Sequence, residues 1–118
     1  MSSALIGVRR LKQATLLEEL DLSFTTVTDA GLKIVSRFTG LRVLNLWRTR
    51  VTSSGLARLV TLTRLETLTL KGTAVGDRGL AHLREVASLR RLNVMETGVT
   101  EEGVESLRAA LPTVNVCR

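Results

Sequence analysis

LEELDLSFTTVTDAGLKIVSRFTG, residues 17–40, decides the architecture, because it is followed at once by two copies of its own pattern. LRVLNLWRTRVTSSGLARLVTLTR fills residues 41–64 and LETLTLKGTAVGDRGLAHLREVAS fills residues 65–88. A fourth copy starts at Leu89, and a last strand-like segment, LPTVNV, starts at Leu111. A fixed period of 24 residues marks a solenoid, in which each unit touches only its neighbours and stacking supplies the core.

Two apolar rhythms run through each unit. Leu17, Leu20 and Leu22 recur as Leu41/Leu44/Leu46, Leu65/Leu68/Leu70 and Leu89/Leu92/Val94, and the in–out alternation at the end of each set is the period of a short strand. Leu32, Val35 and Phe38 recur as Leu56/Leu59/Leu62 and Leu80/Leu83/Val86, a spacing that lines one face of a short helix. Thr28, Thr52 and Thr100 stand where an N-cap hydroxyl is wanted, with Gly76 in the third unit. Asp29, Ser53 and Glu101 follow in the first turn, where acidic groups suit the positive helix end. Gly31, Gly55, Gly79 and Gly103 recur early in the helix. Each costs about 1 kcal/mol against alanine, so close packing against the next repeat is expected there. The reading is a single α/β domain over residues 1–118, coiled in the right-handed sense, with a parallel sheet on one side and helices on the other. It divides into a partial repeat 1–16, repeats 17–40, 41–64, 65–88 and 89–110, and a terminal strand 111–118.

The pattern L-x-x-L-x-L-x-x-T-x-V-T-D-x-G-L, complete from Leu17 to Leu32, resembles a leucine-rich repeat, and the likeness extends over about residues 7–116. Its T-D-x-G-L portion is similar to the ribonuclease-inhibitor-like and F-box-associated branch. There a cysteine often fills the position held here by Thr25, Thr49, Thr73 and Thr97. The resemblance implies a horseshoe arc with a concave parallel sheet and convex helices. It also implies a role in recognition, of the kind served by adaptors, inhibitors and receptors, and the F-box-associated branch implies the substrate-reading arm of a ubiquitin-ligase adaptor. The threonine column has its own physical reading: where the chain leaves each strand, backbone groups need partners, and hydroxyls supply them.

With 44% hydrophobic but only 3% aromatic residues, the core is expected to be aliphatic. Met1–Gly7 lacks the apolar run of a signal peptide, no segment reaches membrane-spanning length, and the single cysteine, Cys117, rules out disulfide-bonded caps. An intracellular, cytoplasmic protein away from the membrane is the expectation. Gly7 stands 24 residues before Gly31, with Val8, Leu11 and Ala14 at the helix-core phase, so the chain begins inside a repeat. Pro112 falls within the last expected strand, which a missing donor confines to an edge. A truncated start and an open edge point to a fragment of a longer protein, or to surfaces covered by another chain. Self-association would then run through the Gly7–Leu17 helix or the Leu111–Val116 edge.

Strand residues that alternate with the leucines form three columns: Glu19/Val43/Thr67/Arg91/Thr113, Asp21/Asn45/Thr69/Asn93/Asn115 and Ser23/Trp47/Lys71/Met95/Cys117. Tryptophan, methionine and arginine are enriched at interface centres. Trp47 is therefore the expected anchor of a protein- or peptide-binding surface, with Lys71, Met95, Arg91, Asn45 and Asn93 around it. The competing reading lays its ring along the strand on Lys71 or Ser23. Arg48 and Arg50 beside Lys71 suggest a small cationic edge.

The net charge of +6 raises nucleic acid as a partner. Lys33, Arg37, Arg58, Arg64, Arg78, Arg84, Arg90 and Arg108, however, fall at different repeat phases, and no aromatic residues are interleaved for base stacking. An acidic protein partner, or an acidic segment elsewhere in the same polypeptide, fits the charge equally well. Catalytic, metal and cofactor sites are not expected. His82 is alone, Glu19 and Asp21 project side by side from one strand, Cys117 has no partnered base, and KGTAVGDRG around Gly72 lacks a phosphate-loop signature. The expected function is a non-catalytic interaction module, with a structural scaffold that stacks on further repeats as the alternative.

Overall fold

Each alternating segment becomes a three-residue strand, and the strands line up in chain order. The computed structural model describes residues 16–118. Its strands are β1 (Glu19–Asp21), β2 (Val43–Asn45), β3 (Thr67–Thr69), β4 (Arg91–Asn93) and β5 (Asn115–Cys117), in one sheet of order β1-β2-β3-β4-β5. All four pairings are parallel, and Glu19, Val43, Thr67, Arg91 and Asn115 stand in one register row. Crossing back between strands are α1 (Asp29–Val35), a 3₁₀ helix (Ser53–Thr61), α2 (Asp77–Leu83) and α3 (Glu101–Ala110). The expected partial repeat 1–16 and the capping helix from Gly7 lie almost wholly outside the described residues.

The two rhythms meet in the core. Leu44, Leu46, Leu68 and Leu70 from the sheet and Leu32, Val35, Leu56 and Leu59 from the helical side have no exposed surface. Among the described residues every buried hydrophobic side chain is leucine or valine except Phe38. Leu20 and Val116, in the two outermost strands, are only partly covered.

The second helix differs in kind from its neighbours. Leu56, Leu59 and Leu62 are fully buried at the same three-residue spacing as Leu32/Val35/Phe38 and Leu80/Leu83/Val86 in the α-helical repeats, so the tighter winding leaves the core column unchanged.

The fifth strand keeps the 24-residue period, and the expected pairing of its residues is wrong by two positions. Arg91 pairs with Asn115 rather than Thr113, and Asn93 with Cys117 rather than Asn115. Helix α3 runs to Ala110, and the Val114 N–H donates to the Leu111 carbonyl as the Leu89 N–H does to Val86. Leu111 thus takes the place of Val86 in that turn, and the strand that follows stays in the 24-residue register. Pro112 falls in that turn and outside the strand, so it costs the sheet no hydrogen bond.

The threonine column behaves as its chemistry requires. The hydroxyls of Thr25, Thr49, Thr73 and Thr97 donate to the carbonyls of Leu22, Leu46, Leu70 and Val94 at 2.6, 2.9, 2.7 and 2.5 Å. The expected caps work differently. Only Thr100 accepts a bond into its own helix, from the Gly103 N–H at 3.3 Å.

Three cap residues, Thr100 among them, bind the preceding repeat. Thr52 donates its N–H and hydroxyl to Asp29 at 2.7 and 2.5 Å, and Thr100 does the same to Asp77 at 2.8 and 2.6 Å. The Gly76 N–H donates to the Ser53 hydroxyl at 2.9 Å. These clamps explain the recurrent glycine, whose close neighbour is the preceding repeat rather than the next. A Cβ on Gly55 would collide with Asp29 Oδ1, and one on Gly103 with Asp77 Oδ1.

Candidate functional site

Past the C-terminal ends of the strands, the chain turns sharply in each repeat. Phe24, Arg48 and Glu96 adopt φ of 57°, 52° and 56°, and Gly72 occupies the same column at 71°. A left-handed residue there costs roughly 1 kcal/mol or more without glycine. The ladder imposes it: the N–H groups of Phe24, Arg48 and Gly72 donate to the carbonyls of Trp47, Lys71 and Met95 at 2.8, 2.9 and 3.0 Å.

This turn column builds a ridge around Trp47. The Phe24 and Trp47 rings lie 4.7 Å apart at 57°, and Phe24 is 62% exposed. Lys71 Nζ stands 4.9 Å from the Trp47 ring, close enough for a cation–π contact. Lys71 also reaches Glu96 Oε2 at 3.6 Å, while Arg48 reaches Glu96 Oε1 at 3.3 Å. The expected cationic edge is therefore bridged by a carboxylate. Met95 Sδ lies 3.4 Å from Cys117 Sγ. The Trp47 Nε1–H is buried and has no acceptor among the described residues.

The six expected site residues fall in three places. Trp47, Lys71 and Met95 share the ridge. Asn45 and Asn93 lie behind it, their side-chain oxygens accepting the Trp47 and Met95 N–H groups at 3.0 Å each. They hold the strand exits and so position the ridge. Asp21 plays the same part for Ser23, whose hydroxyl and N–H keep its carboxyl below the usual carboxylate range. Arg91 stands at the opposite end of the strands.

Around Arg91 the structure collects charges that the sequence seemed to scatter. Arg42, Arg64, Arg90 and Arg91 line a bowl of about 740 Å³ with Glu66 and Thr67 among its other walls. Arg42 bridges Glu18 at 3.2 Å and Glu66 at 3.0 Å, so the column Glu18/Arg42/Glu66/Arg90 alternates in sign at the repeat spacing. The hydrogen bond and charge of Arg42, with Arg90 farther off, hold the Glu66 carboxyl below its ordinary value.

Phe24, Glu96 and this alternating column were not singled out by sequence reasoning. Their signal was present: each recurs 24 residues from a residue of the same column. The expected columns run from Glu19 to Ser23 in the repeat, whereas these lie one residue to either side. Among the described residues no group of three or more His, Cys, Asp or Glu side chains is placed to hold a metal ion. No described helix is long and apolar enough to cross a membrane.

The comparisons with known proteins follow the same lines. A family model described as "Leucine Rich repeat" matches residues 13–33. A leucine-rich-repeat protein of Leptospira interrogans superposes with a TM-score of 0.66 at 19% identity, over 86% of this chain. This chain spans only 25% of that protein's length. The Mex67:Mtr2 subunits of Chaetomium superpose with a TM-score of 0.67 at 17% identity, over 98% of this chain and 85% of that one. No curated protein sequence matches this one. The repeat matched in sequence and the fold shared with both structures make the chain a leucine-rich-repeat solenoid.

Proposed function

We propose that the chain is a protein-interaction module that docks a protein or peptide on the leucine-free face of its sheet, anchored at Trp47. Leucine-rich-repeat solenoids are in general interaction modules, and stacked repeats present an extended binding surface. One observation carries the reading: Phe24, 62% exposed, packs at a tilt against half-buried Trp47, with Lys71 over the indole ring. Exposed aromatic surface of this kind, rimmed by polar groups, is the composition of an interface centre. Lys71, Arg48 and Glu96 rim it with charge, and Met95 extends the apolar floor. Asn45 and Asn93 support the geometry from behind. In a longer polypeptide this surface would serve as the reading arm of an adaptor, the role implied by the T-D-x-G-L resemblance.

Selection from a random peptide library on the immobilised chain tests the reading. Peptides enriched on wild type should lose binding to Trp47→Ala and to Phe24→Ala, with unfolding midpoints unchanged for Phe24→Ala. Trp47 is the sole tryptophan, so its emission should shift when a selected peptide binds. Equal enrichment on all three proteins would remove the ridge from consideration.

A second reading, a scaffold that stacks on further repeats, is favoured by β5. This strand pairs on one side only, and Val116 is incompletely covered. Concentration-dependent mass in sedimentation, abolished by Val116→Lys, would support it.

A further inference from the structure

We infer that the arginine bowl at the N-terminal ends of β2, β3 and β4 receives an acidic segment of a protein partner, its carboxylates held by Arg64, Arg90 and Arg91. This inference goes beyond the aromatic ridge and does not rest on it. The two sites lie at opposite ends of the same strands and share no residue.

Three observations carry it. First, four guanidinium groups face one carboxylate in the lining of a concavity of about 740 Å³. That volume lies within the usual range of ligand sites, about 300–1,000 Å³. Second, the charge is unevenly committed. Arg42 is held between Glu18 and Glu66, whereas among the described residues Arg64, Arg90 and Arg91 have no ion-pair partner. The alternation that neutralises the column at Glu18, Arg42 and Glu66 is broken at the fourth repeat, where Arg90 and Arg91 stand side by side. Third, the three available arginines come from two segments of the chain: Arg64 precedes β3, and the adjacent Arg90 and Arg91 lead into β4. Forks converging from separate segments suit carboxylates presented in succession by an extended chain, because each guanidinium offers a bidentate pair of donors.

Nucleic acid fits less well. The bowl is local rather than a stripe, and no aromatic side chain lines it to stack a base.

The test uses the full chain and a fluorescein-labelled oligo-glutamate peptide, with an oligo-glutamine peptide as the neutral counterpart and anisotropy as the readout. Arg64→Glu/Arg91→Glu is compared with Arg58→Glu/Arg84→Glu, exposed positions on the helical side that give the same net charge. The expected result is binding of oligo-glutamate, but not oligo-glutamine, to wild type and to the helical-side variant. Reversal in the bowl should weaken it by about tenfold or more, the loss of one or more charge-assisted pairs. Equal weakening by both variants would overturn the inference, since net charge would then explain binding. So would displacement of the peptide by a DNA duplex at matched charge concentration, or the absence of oligo-glutamate binding at low salt. None of these outcomes bears on Trp47, so the ridge is judged separately.

Discussion

Alanine at Gly55 should destabilise the solenoid, and the same change should turn mildly stabilising once Asp29 is also alanine. Gly55 lies beneath the Asp29 carboxylate, which accepts both the Thr52 N–H and the Thr52 hydroxyl at 2.7 and 2.5 Å. A methyl on Gly55 must expel that carboxylate. Each bond to a charged acceptor is worth about 1.5 kcal/mol at the low end of the range, appropriate to this partly exposed site, so the pair contributes about 3 kcal/mol. Replacing a helical glycine by alanine returns about 0.5–1 kcal/mol. The net cost of Gly55→Ala is therefore about 2 kcal/mol, a fall in melting temperature of about 6–12 °C for a chain of this size. In Asp29→Ala the bonds are already lost and the obstacle is gone. The remaining neighbour is Leu32 Cδ1 at 3.0 Å, the far end of a flexible side chain. Gly55→Ala should then gain about 0.5 kcal/mol, within the span of helix propensity. Urea unfolding of the four proteins of the cycle measures the coupling. If Gly55→Ala costs the same in both backgrounds, to within about 0.5 kcal/mol, the clamp does not explain the glycine column.

Other consequences are open to the same measurement. Thr73→Val keeps the shape but removes the hydroxyl bound to the Leu70 carbonyl at 2.7 Å, and should cost about 1–2 kcal/mol, with Thr73→Ser restoring most of it. Gly72→Ala places a side chain at φ +71° and 2.9 Å from Arg48 Cγ, so a loss of about 1–2 kcal/mol is expected in denaturant titration. The Thr100 hydroxyl and N–H hold the Asp77 carboxyl below its ordinary value of 3.8, so the folded state binds that proton less readily than the unfolded state does. The stability this supplies is complete above that value and is lost as pH falls through the lower folded pKa. Asp77→Asn should accordingly be less stable than wild type near neutrality, and the difference should shrink in acid; a gap that stays constant with pH would contradict the assignment.

The fold was legible because it is written in repeated residues. Leu44, Leu68 and Leu92, or Thr49 and Thr73, meet identical partners in every unit, so one reading serves all of them. Legibility failed in the details. The three-residue spacing of Leu56, Leu59 and Leu62 is shared with the equally buried α-helical repeats, so nothing in it announces the tighter winding of Ser53–Thr61. The pairing of β5 was legible in the period itself, since Asn115 and Cys117 stand 24 residues after Arg91 and Asn93, but the expected columns ran from Leu111, which closes the preceding turn. The cap threonines were sited correctly, but their bonding was not: a carboxylate one repeat earlier competes with the orphan N–H groups of the threonine's own helix. The site was partly visible. Trp47, Lys71 and Met95 share a column, yet Phe24 and Glu96 join them only because the left-handed turn swings the next residue of each repeat into the same ridge.

Parallel in-register stacking also says where function can be carried. Every column repeats at the strand spacing of about 4.8 Å, so like charges placed successively in one column would repel. Columns that serve the fold therefore converge on one answer: leucine inside, threonine at the exit, and glycine paired with a clamp in the crossing helix. The column Glu18/Arg42/Glu66/Arg90 answers the charge problem by alternating sign, and it is electrostatically quiet for three repeats. The columns free to vary are those facing outward at the two strand ends, Ser23/Trp47/Lys71/Met95 at one and Glu19/Val43/Thr67/Arg91 at the other. The first gathers the only tryptophan beside an exposed phenylalanine. The second carries an arginine, Arg91, next to the one place where alternation leaves positive charge uncompensated. Departure from the repeat, not agreement with it, locates both candidate surfaces, and their separation along the strands allows one extended partner to meet the aromatic ridge and the arginine bowl together. A peptide carrying an aromatic residue at one end and acidic residues at the other should then bind more tightly than either half, by a factor that falls when the spacer between them is shortened below the strand length.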